Sequence, residues 1–290
     1  MAQETAQSRG YLREDFRLFR LKDAELEPIG WHYHTFHKIL IYLSGRAAYA
    51  IEGKSYALEP GDIVLVPKGA IHRPEVTGAV PYERVILYIS PEFLQRTGGE
   101  CDLEHCFAQA QANYSYVLRP AGDLGRLLKL LEGLEAAFQG AEAFGARLLR
   151  QATLQEFLIY LTRDMTAHQL RYVTSADCDE KVVSILKYLN LHLFEPVSID
   201  ALAGQFYMSK YHMMRRFKAE TGYTVHGYLT EKRLMLARER LKAGQRPGTV
   251  CESCGFGDYT AFARAYKKRF GVSPTAKGAG ETAIPAEPLD

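Results

Sequence analysis

Between residues 11 and 90 the apolar positions fall in short runs cut by turn residues. Ile39–Leu43, Ala47–Ile51, Ser55–Leu58, Ile63–Val66 and Arg84–Ser90 are strand-length and rich in β-formers. Glu52-Gly53-Lys54, Glu59-Pro60-Gly61-Asp62 and Pro67-Lys68-Gly69 separate them. Strands this short, at this spacing, predict a sandwich or barrel. From 120 to 172 the period changes. Leu124, Leu127, Leu128, Leu131, Leu134 and Phe138 repeat at three and four, and a second helix is predicted over 143–165 with Leu148, Leu149, Leu154, Phe157, Leu158 and Leu161. Two adjacent amphipathic helices pack either on the barrel or on a second subunit. Residues 172–180 are polar and read as a linker, everything from Lys181 reads as helical, and the Gly-, Ala-, Pro- and acid-rich 279–290 reads as a disordered tail.

The helical third contains an internal echo. In SIDALAGQFYMSKYHMMRRFKAETG, 198–222, Ser198 can cap a short helix burying Ile199, Leu202, Ala203 and Phe206. Ser209 then caps a second helix, with Met213 and Phe217 inward and Gly222 ending it. In TVCESCGFGDYTAFARAYKKRFGVSP, 249–274, Thr249 can cap, Gly255 turns, and Gly257 or Asp258 opens a helix with Phe262, Tyr266 and Phe270 inward. A helix over 225–241, with Tyr228, Leu229, Leu234, Ala237 and Leu241 on its apolar side, joins the copies. Two short helices around a tight turn form a helix-turn-helix unit, whose second helix enters the major groove.

With these residues placed, Ser198–Pro274 resembles the DNA-binding domain of AraC/XylS transcription regulators. The matching positions are Leu202-Ala203, Ser209, Arg216-Phe217-Lys218, Gly222, Tyr228-Leu229, Arg233-Leu234, Ala237-Arg238, Gly255-Phe256, Phe262, Lys267 to Phe270 and Gly271-Val272-Ser273-Pro274. Val250-Cys251 stands where the family usually has Ile-Ala, and Thr275-Ala276-Lys277 replaces its Arg-ending signature. The outward side chains of the two second helices are Lys210, Tyr211, Met214, Arg215 and Lys218, and Tyr259, Thr260, Ala261, Arg264 and Lys268. The resemblance puts base contacts at Tyr211, Met214 and Arg215. Arg215 and Arg264 are the candidates for bidentate guanine recognition, and Lys268 for phosphate. A charged, solvated helix face is the bland alternative.

Charge suggests an anionic partner for this third alone, the alternative being a soluble, mixed-charge surface. The chain carries a net +2, but 179–277 holds 17 Lys/Arg against 9 Asp/Glu, leaving 19 against 25 elsewhere. The apolar runs are too short to cross a membrane, and the polar start MAQETAQSRG lacks a signal-peptide core, so a cytoplasmic protein is expected. Five cysteines, an odd number, argue against a disulfide framework. Cys251-x-x-Cys254 has no second pair and sits on a short helix, which favours core packing over zinc; Cys101 and Cys106 read as loop or surface thiols.

The remaining chemistry is WHYHTFHK, 31–38. The β segment resembles a cupin over about 30–90. Cupin metal sites use His-x-His, a Glu four residues on, and a His after a Pro-x-Gly turn. Here His32, His34 and His72 match, but Lys38 occupies the carboxylate position and His37 is out of phase. Three readings stay open: an effector pocket of His32, His34, Lys38 and His72, a metal held by His32, His34 and His72, or structural histidines. Lys38 suits an anionic or polyhydroxylated effector, and Trp31, Tyr33, Phe36, Tyr42 and Tyr49 offer stacking surface or core.

The expected architecture is α+β. It has a cupin-like effector barrel over 1–115, a helical dimerisation segment over 116–175, and a two-unit DNA-binding domain over 176–278. The expected function is a non-enzymatic transcription regulator, more in keeping with an activator. It would be a homodimer working with promoter DNA, a small-molecule effector and RNA polymerase, with no obligatory cofactor beyond an optional divalent metal. A metal sensor, or a metal-dependent cupin enzyme fused to a DNA-binding domain, is the alternative.

Overall fold

The computed structural model describes residues 12, 14–24, 27–78, 80–122, 125–139 and 143–276; the expected tail at 279–290 lies outside them. The strands are β1 (Phe16–Asp23), β2 (His37–Ser44), β3 (Ala47–Ile51), β4 (Lys54–Ala57), β5 (Ile63–Val66), β6 (His72–Val76), β7 (Tyr82–Ile89), β8 (Val117–Pro120), β9 (Leu170–Tyr172) and β10 (Asp177–Cys178). They form one sheet in the order β1-β7-β2-β5-β8-β9 and another in the order β10-β4-β3-β6. Side chains of both share a single core that includes Leu40, Val64 and Leu87 from the first sheet and Tyr49, Ile51 and Tyr56 from the second. Residues 37–42 of β2 are buried without alternation. Helices cover the other face of that sheet, through Phe93 and Leu94 of α1 (Pro91–Thr97) and Cys106 and Phe107 of α2 (His105–Asn113), so a continuous apolar run is what β2 needs.

The helical hairpin of α3 (Gly125–Gln139) and α4 (Ala146–Thr166) is bracketed by β8 and β9, which pair with each other at the edge of the first sheet. It packs inward through Leu127, Leu131, Leu134, Leu154, Phe157, Leu158 and Leu161. Leu128, Phe144, Leu148 and Leu149 face solvent.

The C-terminal helices are α5 (Glu180–Leu191), α6 (Ile199–Gln205), α7 (Lys210–Thr221), α8 (Val225–Lys242), α9 (Pro247–Ser253) and α10 (Tyr259–Phe270). Side chains of Asp179, Ser198, Ser209, Thr224 and Asp258 accept the first free N–H groups of five of them. The sixth, α9, starts earlier than the expected Thr249 cap. Pro247 has no N–H to satisfy and a φ suited to a first turn, so Arg246 precedes the helix without a side-chain cap. Gly255 turns with φ +78°, and a Cβ there would lie 2.8 Å from the Phe194 carbonyl oxygen. Cys251 and Cys254 are buried in the second unit's core with Val250, Phe262, Tyr266 and Phe270.

Candidate effector pocket and DNA-reading face

The capped start of each second helix fixes which side chains turn outward. On α7, Lys210, Tyr211, Met214, Arg215 and Lys218 are exposed, while Met213 and Phe217 are buried. On α10, Tyr259, Thr260, Ala261, Arg264 and Lys268 are exposed, while Phe262, Tyr266 and Phe270 are buried. Each expected base or phosphate contact thus points to solvent, and Lys210 is held back across the turn by Asp200 at 3.0 Å. Arg216 is committed to an ion pair with Asp179 at the head of α5.

The sequence-predicted pocket residues also come together. His32 pairs with His72 through two backbone hydrogen bonds, 3.1 and 2.8 Å, although it lies outside the named strands. Gly69 N–H donates to the His34 carbonyl at 2.8 Å. The three imidazoles converge, with centroids 4.3 Å apart for His32 and His72, 5.0 Å for His32 and His34, and 5.1 Å for His34 and His72. One ring nitrogen of each can be chosen so that all three lie within 4.8 Å of one another. His32 Nδ1 is 2.8 Å from the Gly30 carbonyl and His72 Nδ1 is 2.9 Å from the Ala70 carbonyl. A carbonyl only accepts, so each Nδ1 bears the proton and each neutral ring presents a bare lone pair at Nε2. The Nε2 atoms of His34 and His72 are buried without a hydrogen-bond partner among the described residues.

Burial, and then the neighbouring charge of Lys38, pushes His32 down to about 4. Burial pushes His34 and His72 well below the usual imidazole range, with His32 and Lys38 adding to it. All three are neutral at pH 7. Lys38 is buried too, and desolvation followed by repulsion from Arg84 lowers its ammonium to about 7. Its Nζ lies 5.5 Å from the Tyr49 ring centroid, and Phe36 stacks on His34 at 4.6 Å. His37 is apart from the cluster, stacked on Phe107 at 4.2 Å with Nε2 3.6 Å from Glu104. The expectation of surface thiols fails at Cys106, which is buried on α2 with its pKa raised to about 12; Cys101 is exposed.

Two aromatics expected as stacking surface or core do neither in the barrel. Trp31 and Tyr33 alternate with His32 and His34 and pack among residues of the helical domain. Trp31 lies against Gly222, the left-handed residue ending α7, and a Cβ there would come 2.2 Å from its Cδ1. The buried Tyr33 hydroxyl donates to Glu231 of α8, and Arg269 Nε of α10 donates to that hydroxyl at 3.0 Å and to Glu231 at 2.9 Å. The hairpin turn Glu52-Gly53 makes a second dock. Glu52 is left-handed at φ +46°, a strained position for a residue with a Cβ. Its carboxylate accepts from Ile71 N–H at 2.8 Å, Lys232 Nζ at 2.9 Å and the Tyr228 hydroxyl at 3.0 Å. Lys232 also donates to the Gly69 carbonyl at 2.7 Å. Tyr228, Glu231, Lys232 and Met235 therefore form one stripe of α8 at helical spacing, facing the β domain. That spacing was the one available signal for them, because the β-domain partners of Glu231 and Lys232 lie more than 150 residues away.

Residues 202–277 match the profile of a helix-turn-helix domain, and residues 22–158 that of the AraC-like ligand binding domain. The chain is 30% identical over 257 residues to the HTH-type transcriptional activator RhaS of Salmonella arizonae, spanning 88% of this chain and 89% of that one. The chain belongs to the AraC/XylS family. This AraC/XylS regulator is also 28% identical over 256 residues to RhaS of Salmonella agona, covering 87% and 88% of the two chains. Among solved structures, ToxT from Vibrio cholerae overlaps 90% of this chain and 97% of its own, at 13% identity and a TM-score of 0.37. The protein is a DNA-binding transcription regulator with an effector-binding β domain. No helix among the described residues is long and apolar enough to cross a membrane.

Proposed function

We propose that this regulator senses its effector at His32, His34, Lys38 and His72, and reads promoter DNA through the exposed faces of α7 and α10. The observation that carries the pocket is the convergence of three neutral imidazoles, two of them, His34 and His72, with buried Nε2 atoms that have no partner among the described residues, beside a buried lysine. Such groups are costly to bury without a partner, and an occupant that supplies donors to the imidazoles and an acceptor to Lys38 removes the penalty. A polyhydroxylated or anionic small molecule does both. Arg215 and Arg264 read bases and Lys268 meets phosphate, with Lys210, Tyr211, Met214, Lys218, Thr260 and Ala261 completing the two faces.

The exposed Leu128, Phe144, Leu148 and Leu149 support a homodimer built on α3 and α4. The protein acts in the cytoplasm, as an activator working with RNA polymerase, in keeping with the relatives named as activators. Its action is regulatory and not enzymatic, in keeping with the relatives named as transcriptional activators.

A second reading, metal sensing, is favoured by the tautomers. Backbone carbonyls fix Nδ1–H on His32 and His72, which is how metal-binding histidines are oriented. The three imidazoles fit a borderline-soft divalent cation such as Zn2+. Native mass spectrometry of the full chain and of a His32→Ala/His34→Ala variant tests the assignment. An adduct lost in the variant supports the pocket, its mass separates metal from organic effector, and an adduct retained in the variant overturns it.

A further inference from the structure

The histidine pocket and the docking surface for the helical domain are two sides of the same backbone. Residues 31–34 alternate: His32 and His34 face the pocket, while Trp31 and Tyr33 face the helices. The opposing segment does the same. His72 and the Ala70 carbonyl serve the pocket, while Ile71 packs in the helical core and the Gly69 carbonyl binds Lys232. Gly69 also holds His34 through its N–H, so the two segments are tied to each other.

The contacts made by 31–33 are divided between the two helix-turn-helix units. Trp31 abuts Gly222 at the end of the first recognition helix. Tyr33 bonds Arg269 in the last turn of the second and Glu231 on the helix that joins the units. All three members of this polar cluster are buried. Removing the tyrosine hydroxyl would strip Arg269 and Glu231 of a shared partner without changing ring volume. A buried, hydrogen-bonded charge pair of this kind holds one arrangement in preference to others.

We propose that Trp31 and Tyr33 form a strut between the two DNA-reading units, locked by Tyr33–Glu231–Arg269, through which pocket occupancy sets how the two recognition helices are held. The strut rests on the pocket reading given above. An occupant that draws His32 and His34 toward His72 moves the residues between and beside them, and the displacement is delivered at Gly222 and Arg269. DNA that requires a particular separation of α7 and α10 then binds with an affinity that depends on the pocket, and the pocket depends equally on DNA.

The test uses the full-length protein, a duplex that it selects from a random pool, and Zn2+ alone as the pocket probe. Zn2+ binding is followed by calorimetry, and the emission of Trp31, the single tryptophan of the chain, reports on the strut. Zn2+ is expected to change the duplex Kd of the wild type by about fivefold or more. Tyr33→Phe is expected to bind Zn2+ as the wild type does and to reduce that change to less than about twofold. A Tyr33→Phe protein that keeps the full change overturns the strut, as does a wild type that binds Zn2+ with no change in Kd or in Trp31 emission. If Zn2+ does not bind the wild type, the metal reading of the pocket falls and the strut is judged separately. Duplex Kd values for His72→Gln, Tyr33→Phe and the double variant then decide it: effects that multiply within about twofold overturn the strut, and a larger departure supports it. Arg269→Lys replaces Tyr33→Phe, under the same criteria, should that variant fail to fold.

Discussion

Replacing Lys38 with methionine isolates the energetics of the pocket. Lys38 is buried beside three neutral imidazoles and Arg84, with its ammonium lowered from 10.5 to about 7. Arg84 itself is paired with Asp23 at 2.6 Å, so it offers Lys38 repulsion and no acceptor. The unfolded chain binds the lysine proton up to about 10.5 and the folded chain only up to about 7, so unfolding takes up a proton between those values. Stability therefore rises with pH across that window, and the full penalty of a charged Lys38 applies below pH 7. The gap from 10.5 to about 7 corresponds to a ceiling of roughly 5 kcal/mol, of which about 2 kcal/mol is recovered between pH 7 and 9. Methionine fills a similar volume and has no proton to lose. In urea unfolding at pH 6, 7, 8 and 9, Lys38→Met is expected to be more stable than the wild type, with the advantage largest at pH 6 and shrinking by about 2 kcal/mol between pH 7 and 9. His32, His34 and His72 are neutral in the folded protein but take up protons in the unfolded chain near pH 6.5, so they add the same rise in stability between pH 6 and 7 to both proteins, and it cancels in the difference between them. Parallel pH profiles for the two proteins would refute the reasoning. The same variant should bind Zn2+ more tightly at pH 6, since the opposing charge is gone.

Arg215→Ala and Arg264→Ala should each weaken binding to the selected duplex by ~1–3 kcal/mol and relax base preference at separate positions, measured by fluorescence anisotropy against single-base variants. Lys268→Ala should weaken all sequences alike and flatten the salt dependence; a loss confined to one sequence would contradict a phosphate contact. Leu148→Glu with Leu149→Glu, both exposed on α4, should turn a dimer into a monomer in light scattering while leaving the circular dichroism spectrum unchanged. Gly222→Ala should lower the midpoint of urea unfolding and shift Trp31 emission, because the new Cβ meets both a left-handed backbone, roughly 1–2 kcal/mol, and the indole ring.

Local signals made the two ends of the architecture legible. Short apolar runs cut by Gly and Pro marked β2 to β5, and Ser198, Ser209, Asp258, Gly222 and Gly271 marked helix ends as capping chemistry requires. The exposed faces of α7 and α10 and the convergence of His32, His34 and His72 followed from the resemblance and from the turn at Pro67-Lys68-Gly69. Strands β8, β9 and β10 were hidden because two to four residues carry no period, so the helical hairpin read as a segment standing between domains. The cap at Thr249 was misplaced because a threonine and a proline two residues apart both signal a helix start. The domain contact was the largest omission. Glu52 reads as an exposed turn residue and Tyr33 as barrel lining, and each acquires its role only from a partner at the far end of the chain.

The lock joining Tyr33 to Arg269 spans 236 positions of sequence. At ribosomal speeds of 5–20 residues per second, Tyr33 emerges roughly ten to fifty seconds before the arginine that it will bind. Once β10, at Asp177–Cys178, has emerged, the β domain can assemble with Trp31, Tyr33 and Ile71 uncovered beside its pocket histidines until Arg269 follows about ninety residues later, roughly five to twenty seconds. The nascent chain displays a half-finished seam over that interval, in which a chaperone or an early-bound effector has time to act. The stretch from Gly222 to Arg269, which carries part of the DNA-binding domain, is also what closes the seam.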